Sequence, residues 1–169
     1  MKKLIYFFIL APLCLDVAAQ SMVPKAPKLN LSSYILLEAS TNTVLAEFNS
    51  DNQIAPASMT KVMSGYVIAD QIASGAISLD DKVLISEKAW KTGGSKMFIA
   101  VNSTVPLRLL LEGIAIVSGN DACVAVAEHI AGREDVFAEK MRRKAAEIGM
   151  LNTVFKNSHG LPNEEQHTT

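Results

Sequence analysis

The hydrophobic and polar positions in the first third of the chain predict a β-hairpin. Tyr34–Leu37 and Val44–Phe48 are strand-like apolar runs, and the polar residues 40–43 between them favour a turn. A lone hairpin is only marginally stable in water and needs further strands or a helix to cover it. The pattern therefore predicts a larger sheet, of which this chain holds the beginning.

After residue 55 the spacing of apolar positions becomes helical. Pro56 opens a pattern that runs to about Ser74, and a proline suits the first turn of a helix, where its missing N–H has no partner. Asp121 is the predicted N-cap of a later helix, and residues 82–85 are predicted as a short strand. The further helices are predicted at residues 106–117, 121–131 and 134–148.

The first residues have the three-part layout of a secretory signal peptide. Lys2 and Lys3 give a positive start, residues 4–15 are apolar, and small residues follow at Val17–Ala19. The apolar run is shorter than the roughly 20 residues that span a bilayer, so a cleaved signal at residues 1–19 is favoured over an uncleaved anchor. Residues 20–32 show no clear period and are interpreted as a leader or linker.

Composition narrows the class of protein. The chain has 169 residues, 49% of them hydrophobic, with a net charge of -1, which fits one globular domain and gives no field that would attract nucleic acid. Removal of the signal leaves Cys123 as the only cysteine, so no internal disulfide is expected. No two histidines stand at metal-ligand spacing, so neither a metal site nor a cofactor is predicted.

Ser58-Met59-Thr60-Lys61 is the first candidate for chemistry. Ser58 and Lys61 are three residues apart and lie on one face of a helix, so their side chains can meet within one turn. A serine hydroxyl needs a base to become a nucleophile, and a lysine can serve if burial lowers its pKa. Taken alone the motif is weak, because the same spacing also describes a helix start with a solvent-facing lysine.

Ser118-Gly119-Asn120 is the second candidate. It falls between two predicted helices, where a tight turn is expected in any case. Its functional interpretation is a loop that aims the Ser118 hydroxyl and the Asn120 amide into a cleft. Ser-x-x-Lys at a helix start followed by Ser-x-Asn between helices is the ordered signature of penicillin-binding proteins and serine β-lactamases.

Four separated segments make the resemblance closer. The chain resembles the low-molecular-mass penicillin-binding proteins that are serine-type D-alanyl-D-alanine carboxypeptidases, from Ser33 to its last residue. The segments that carry the resemblance are Pro56–Lys61, Ala89-Trp90 with Gly93–Phe98, Ser118–Ala122 and Asn157–Pro162, the last containing His159. The resemblance implies an α+β fold, a penicillin-binding/β-lactamase-like transpeptidase domain with a helical cluster on an antiparallel sheet.

The resemblance also implies a role for each site residue. Ser58 would attack the carbonyl between the last two D-alanines of a peptidoglycan stem peptide, and Lys61 would accept its proton. Ser118 would relay a proton to the departing amine, and Asn120 would hold the substrate amide. The peptidoglycan stem peptide is then the expected partner, with β-lactams as inhibitors that acylate the same serine.

The third motif of this family, Lys-Thr-Gly, is expected to lie beyond this chain. Lys91-Thr92-Gly93 spells it but precedes Ser118, whereas the family motif follows the Ser-x-Asn segment, so we interpret the tripeptide as a coincidence. We expect residues 33–169 to be the N-terminal part of a catalytic domain, incomplete at its C-terminus. The remaining strands, the second oxyanion donor and the membrane-binding helix of relatives would be absent from it.

Three function classes follow from these residues. The first is an exported carboxypeptidase, in the periplasm or on the outer face of the cytoplasmic membrane. The second is a non-catalytic module that binds muropeptides or β-lactams and keeps Ser58, Lys61, Ser118 and Asn120 as a scaffold. The third is a serine β-lactamase, which shares both motifs but not the wider match at Asn157–Pro162.

Overall fold

The computed structural model describes residues 27–169, and the predicted signal peptide lies outside the described residues. The chain divides into two compact units between Asn49 and Ser50. Each unit is described by itself. Residues 27–33 form no helix or strand.

The first unit contains the predicted hairpin. Strand β1, Tyr34–Glu38, pairs antiparallel with β2, Thr43–Phe48, with a shift of register between Leu36 and Leu37. The turn is organised by Glu38, whose carboxylate accepts a hydrogen bond from the Thr41 amide at 2.7 Å and others from neighbouring hydroxyls. These hydrogen bonds lower the pKa of Glu38 to about 2, and the bond from the Thr41 side chain has the largest effect.

The second unit, residues 50–169, holds the helices. A single 3-10 turn, Ala57–Met59, leads directly into the first helix. The short strands β3 and β4 form an antiparallel pair. The elements are α1 Thr60–Ala73, β3 Lys82–Leu84, α2 Glu87–Lys91, β4 Thr104–Pro106, α3 Leu107–Val117, α4 Asn120–Ala131 and α5 Glu134–Glu147.

The four long helices confirm the helical periodicity to within a few residues at each end. Helix α2 was not predicted, although Ser86 accepts a hydrogen bond from the Ala89 amide at 3.0 Å as its N-cap. The prediction of Asp121 as an N-cap is wrong, because α4 begins one residue earlier and Gly119 is its N-cap. The Asp121 carboxylate instead accepts hydrogen bonds from the amides of Met97 and Phe98, each at 2.9 Å.

Helix α4 forms the centre of the core. Its residues 120–127 are all buried, and it packs against α1, α2, α3 and α5. Small side chains dominate its first two turns, and small side chains let neighbouring helices approach closely. The largest apolar side chains that are fully buried around it are Val83, Ile85, Leu107, Leu110, Phe137 and Met141.

The last sixteen residues, 154–169, return to the start of the second unit. Val154 and His167 form an isolated antiparallel bridge, and Thr168 forms another with Ile54, at 2.8 Å between the Ile54 nitrogen and the Thr168 oxygen. The segment between Val154 and His167 is rich in turns. None of the helices found between residues 27 and 169 has the length and apolar character needed to cross a membrane.

Candidate active site

Ser58 and Lys61 meet at the N-terminal end of α1. Ser58 lies in the 3-10 turn and Lys61 in the first turn of the helix, so the three-residue spacing places both side chains on one side. The Lys61 Nζ atom is 3.4 Å from the Ser58 Oγ atom. Ala57, directly before the serine, has a φ of 46°, an uncommon conformation for a residue with a side chain. The backbone is therefore held in a special conformation immediately beside Ser58.

Lys61 is buried and fully bonded. Only 8% of the residue is exposed, and its ammonium group donates to Asn120 Oδ1 and to the backbone oxygen of His159, both at 2.7 Å. Burial lowers the pKa of Lys61, because removal from water disfavours the charged form, and this effect outweighs the opposing influence of Cys123. Lys61 therefore does not face the solvent, which was the alternative that the motif alone left open.

Ser118 reaches the same point from the connection between α3 and α4. It ends α3 in a left-handed conformation, with a φ of 56°. This conformation turns the chain sharply into α4. The Ser118 Oγ atom donates to the Ser58 Oγ atom at 3.2 Å. The two serines are 60 residues apart in sequence, so only the packing of α4 against α1 brings them together.

Asn120 links the lysine to a third segment. Its Oδ1 accepts from Lys61, and its Nδ2 donates to the Gly93 oxygen at 2.8 Å. These two bonds fix which end of the amide faces the lysine. Asn120 is 5% exposed, so its side chain is held rigidly at the floor of the site. A second N–H and a second lone pair on the same amide are left for a ligand.

The turn that follows α5 completes the surroundings of Lys61. The Asn157 Oδ1 atom accepts from the amides of His159 and Gly160, at 3.3 and 2.7 Å, and so closes the turn on itself. The Ser158 oxygen accepts from the Ser64 hydroxyl at 2.6 Å, which ties the turn to α1. The resemblance included this segment, but no sequence pattern indicated that the His159 backbone oxygen would bind the lysine.

Glu134, at the start of α5, is a buried carboxylate that the sequence analysis missed. Its Oε1 accepts from the Ser158 amide at 3.0 Å and from the Ser158 hydroxyl at 2.8 Å, and its Oε2 pairs with Lys88 at 2.8 Å. Burial alone would raise the pKa of Glu134, but the hydrogen bonds from Lys88 and Ser158 outweigh it and lower that pKa. The only sequence signal was an acidic residue at a helix N-terminus, which is common on any protein surface.

The four predicted site residues face a cleft of about 600 Å³ or stand directly beside it. Ser58, Asn120 and His159 line this cleft, and Lys61 lies behind Ser58. A larger hollow of about 680 Å³ lies along α1 and is lined mainly by apolar side chains such as Met59, Val62 and Tyr66. We place the site in the smaller cleft, because a reaction needs the convergent polar groups found there.

Other candidate residues stand apart from the cleft. Cys123 is buried, and burial raises the pKa of its thiol to about 12, so it is a poor nucleophile. Lys91 ends α2 and pairs with Glu87 at 2.6 Å on the exposed surface, away from any strand. Gly93 of the same tripeptide accepts a hydrogen bond from Asn120 through its backbone oxygen, and the interpretation of Lys91-Thr92-Gly93 as a coincidence stays a prediction. Among residues 27–169, no group of histidine, cysteine and acidic side chains is arranged to hold a metal ion.

The arrangement holds the groups that acyl transfer to a serine requires. A hydroxyl lies beside a buried lysine, and a second hydroxyl lies beside the first. Such a set can activate a nucleophile and pass a proton to a leaving group. A helix N-terminus next to the serine also favours negative charge that develops during the reaction.

The chain belongs to the D-alanyl-D-alanine carboxypeptidase family of serine peptidases, whose sequence profile matches residues 20–169. It is 44% identical over 137 residues to the D-alanyl-D-alanine carboxypeptidase DacF of Bacillus subtilis, covering 81% of this chain and 35% of that protein. It is 38% identical over 160 residues to DacA of Escherichia coli, covering 91% of this chain and 40% of that protein. The predicted family is therefore confirmed.

Solved structures confirm the predicted fold class. The D-alanyl-D-alanine carboxypeptidase DacD from Francisella tularensis superposes with a TM-score of 0.80 at 40% identity, covering 90% of this chain and 37% of that one. Penicillin binding protein 5 from Haemophilus influenzae gives a TM-score of 0.83 at 36% identity, covering 86% and 43%. The chain thus adopts the penicillin-binding fold over less than half the length of these relatives.

Proposed function

We propose that this chain carries the acylating half of a serine-type D-alanyl-D-alanine carboxypeptidase. The observation that carries the proposal is the contact of Lys61 Nζ with Ser58 Oγ at 3.4 Å, together with that of Ser118 Oγ with Ser58 Oγ at 3.2 Å. Membership of the family supplies the substrate class, a peptidoglycan stem peptide that ends in two D-alanines.

Ser58 is the proposed nucleophile and Lys61 its base. Burial of Lys61 favours the neutral amine that can accept a proton, and the distance between the two side chains allows transfer with a small adjustment. The Ser58 oxygen forms a bond to the penultimate D-alanine carbonyl carbon, while its proton passes to the Lys61 amine. The backbone N–H of Ser58, at the start of the helical turn, is the proposed first oxyanion donor, and such a donor lowers the barrier by about 3–4 kcal/mol.

Ser118 is the proposed route for the proton to the leaving group. Its hydroxyl contacts Ser58 Oγ, so a proton taken by Lys61 can return through Ser118 to the amine of the departing D-alanine. The carbon–nitrogen bond then breaks and leaves an ester on Ser58. Water cleaves this ester, releasing the shortened peptide and restoring the serine. Asn120, whose amide is fixed by Lys61 and Gly93, is the proposed holder of the substrate amide.

The proposed place of action is outside the cytoplasm. Peptidoglycan stem peptides are assembled into the wall beyond the membrane, and residues 1–19 have the sequence layout of an export signal. We therefore infer export to the periplasm or to the outer face of the cytoplasmic membrane. β-Lactams are the proposed inhibitors, since they offer the same serine a strained amide.

The decisive test is the intact mass of residues 20–169 before and after incubation with excess penicillin. The expected result is one added penicillin on the folded protein, absent from Ser58→Ala and retained in Ser74→Ala, a serine at the opposite end of the same helix whose hydroxyl bonds only to its own helix. An adduct that persists in Ser58→Ala would remove Ser58 as the nucleophile.

The rate at which the adduct is lost distinguishes a carboxypeptidase from a β-lactamase, and the absence of an adduct would indicate the non-catalytic module. A slow loss, together with release of D-alanine from a D-Ala-D-Ala peptide, supports the carboxypeptidase. Fast release of hydrolysed penicillin supports a β-lactamase instead. A folded wild-type protein that forms no adduct at all would support the non-catalytic module and contradict the proposed function.

A further inference from the structure

Glu134 stands one step behind the lysine of the proposed site. It is 6% exposed and touches neither Ser58 nor Lys61, and the proposed reaction assigns it no part. A carboxylate buried at this depth is costly unless its partners are well placed. Those partners converge on the turn that binds Lys61.

Three contacts tie Glu134 to this turn. The Ser158 amide and the Ser158 hydroxyl both donate to Glu134 Oε1, at 3.0 and 2.8 Å. The His159 Nε2 atom lies 3.3 Å from the same oxygen. One carboxylate oxygen therefore gathers two consecutive residues of the turn.

The hydrogen bonds of His159 identify which ring nitrogen carries the proton. The Leu161 amide donates to His159 Nδ1 at 3.0 Å, so Nδ1 accepts and the ring hydrogen sits on Nε2. The imidazole thus accepts a hydrogen bond from within the turn and lies beside the carboxylate, and both contacts limit the movement of His159.

The His159 backbone oxygen is the link to the chemistry. It accepts from Lys61 Nζ at 2.7 Å, as short as the bond that Lys61 makes to Asn120. Without this oxygen the ammonium group would keep the Asn120 bond and the longer contact to Ser58, and it would be free to rotate away from the serine. The orientation of Lys61 therefore depends on where the turn holds this oxygen.

We propose that Glu134 is a positioning residue for Lys61, acting through Ser158 and His159 to hold the His159 oxygen against the lysine. The functional meaning of this device rests on the proposed role of Lys61 as base, but the geometric claim stands separately. Oε1 is the oxygen that holds the turn, as a hydrogen-bond acceptor. Oε2 faces Lys88 instead, a side chain that is more than half exposed.

This division between the two oxygens predicts different effects for two substitutions. Glu134→Gln keeps an oxygen acceptor toward Ser158 and His159, and its amide nitrogen can face Lys88, which can turn to solvent. Glu134→Ala removes the acceptor and leaves the Ser158 amide and hydroxyl without a partner in the interior. The turn is then expected to shift away from Lys61.

The experiment measures Lys61 directly, without a substrate. Brief acetylation of the folded protein with acetic anhydride, followed by peptide mass spectrometry, gives the labelling rate of Lys61 relative to the exposed Lys82 in the same sample. We expect Glu134→Ala to raise this ratio several-fold, since a released amine is more accessible and more reactive. Glu134→Gln should leave the ratio near the wild-type value. The control Glu139→Ala removes an exposed carboxylate from the same helix and should leave the ratio unchanged.

A second readout follows the rate of penicillin acylation in the same variants. A displacement of about 1 Å in a reacting group can cost roughly 10²-fold in rate, so Glu134→Ala is expected to fall by about that factor. Glu134→Gln should recover most of the wild-type rate. A wild-type protein that is not acylated at all would contradict the proposed function, while the labelling ratio would still test the positioning.

An unchanged Lys61 labelling ratio in folded Glu134→Ala would overturn the proposal. An equal loss of acylation rate in Glu134→Gln and Glu134→Ala would overturn the proposal as well. The negative charge of Glu134 would then matter, and not its acceptor oxygen. Should Glu134→Ala fail to fold, Ser158→Ala removes one of the two donors to Oε1 and is expected to raise the ratio by a smaller factor. No rise in Ser158→Ala would then count against the proposal.

Discussion

Two histidine–carboxylate pairs among the described residues have the same nitrogen–oxygen distance and different surroundings. The Nε2 atom of His159 lies 3.3 Å from Glu134 Oε1, and the Nε2 atom of His129 lies 3.3 Å from Asp81 Oδ2. In the first pair the side chains are 9% and 8% exposed, and in the second they are 26% and 35% exposed. Distance alone therefore does not distinguish a site from a surface contact.

What the two pairs touch makes the difference. The His159 backbone oxygen accepts a hydrogen bond from Lys61, and His159 also lines the cleft. His129 lies near the end of α4, and Asp81 accepts from the Ser78 amide in the turn before β3. The first pair belongs to a chain of contacts that ends at the proposed nucleophile, whereas the second closes a turn. A histidine–carboxylate pair therefore indicates a functional site only when its contacts extend to the reacting atoms.

The largest effect is expected from removing Lys61, the residue that the contacts of the first pair reach. Lys61→Met deletes the proposed base while keeping most of its volume, and we expect the rate of penicillin acylation to fall by about 10²–10⁴-fold. Lys61→Arg should also be inactive, because a guanidinium is not deprotonated in proteins. Stopped-flow or quenched mass spectrometry measures both rates.

The matched control for Lys61→Met is Lys91→Met. Lys91 belongs to the Lys-Thr-Gly tripeptide that the sequence analysis interpreted as a coincidence, and it is paired with Glu87 on the surface. We expect its acylation rate to equal that of the wild type. A large loss in Lys91→Met would show that the tripeptide takes part in the reaction, and retained acylation in Lys61→Met would exclude Lys61 as the base.

The site could be predicted from sequence as far as its contacts are local or recur in a family. Ser58 and Lys61 are three residues apart, and helical geometry alone brings them together. Ser118 and Asn120 are distant, and only the ordered family signature indicated that they would join the first pair. The His159 oxygen lies 98 residues from Lys61 and is a backbone atom, so no side-chain pattern indicates it.

The missed elements of the fold have similar causes. Helix α2 has only five residues and β4 only three, so they are too short to show a period. Asp121 was assigned as a cap because a local rule favours acidic residues at helix starts. Its actual partners, the amides of Met97 and Phe98, lie more than twenty residues away. Tertiary contacts, and not the local rule, therefore determine the role of Asp121.

A glycine near each pair gives a second, smaller test of the comparison. Gly160 follows His159 with a φ of 93°, and Gly132 lies three residues after His129 with a φ of 74°. A Cβ atom on Gly160 would stand 1.8 Å from the Ala57 oxygen, whereas one on Gly132 would meet nothing within 4 Å. The two alanine variants thus share the backbone cost and differ in the steric one.

We expect Gly132→Ala to lower the free energy of unfolding by about 1–2 kcal/mol, the cost of a left-handed residue with a side chain. Gly160→Ala should lose several kcal/mol, roughly 2 kcal/mol or more beyond that, because the turn must move away from Ala57. Urea unfolding of both variants measures the difference. Equal losses would mean that the close approach of Gly160 to Ala57 is not maintained in solution.

The smallest expected effect is a dependence of stability on pH that comes from His159. Burial lowers the pKa of His159, and the nearby Glu134 opposes this shift without cancelling it, while Lys61 and Lys88 add to it. In the folded protein the ring therefore accepts a proton less readily than in the unfolded chain, where a histidine has a pKa of about 6.5. The stabilising contribution is fully present above about pH 6.5 and is lost as the pH falls through the folded value.

The measurement combines a histidine NMR titration with urea unfolding between pH 5 and 8. The His159 ring resonance, assigned from its disappearance in His159→Gln, should titrate below pH 6.5. Over the same interval the free energy of unfolding should fall with decreasing pH by at most about 1.4 kcal/mol per pH unit for this one proton, and this portion should vanish in His159→Gln. Protonation at Nδ1 also removes the acceptor for the Leu161 amide, so the same interval should loosen the turn that holds Lys61. A His159 midpoint above 6.5 would mean that Glu134 outweighs burial, and the buried pair would then behave as an ion pair whose contribution to stability is lost as the pH rises.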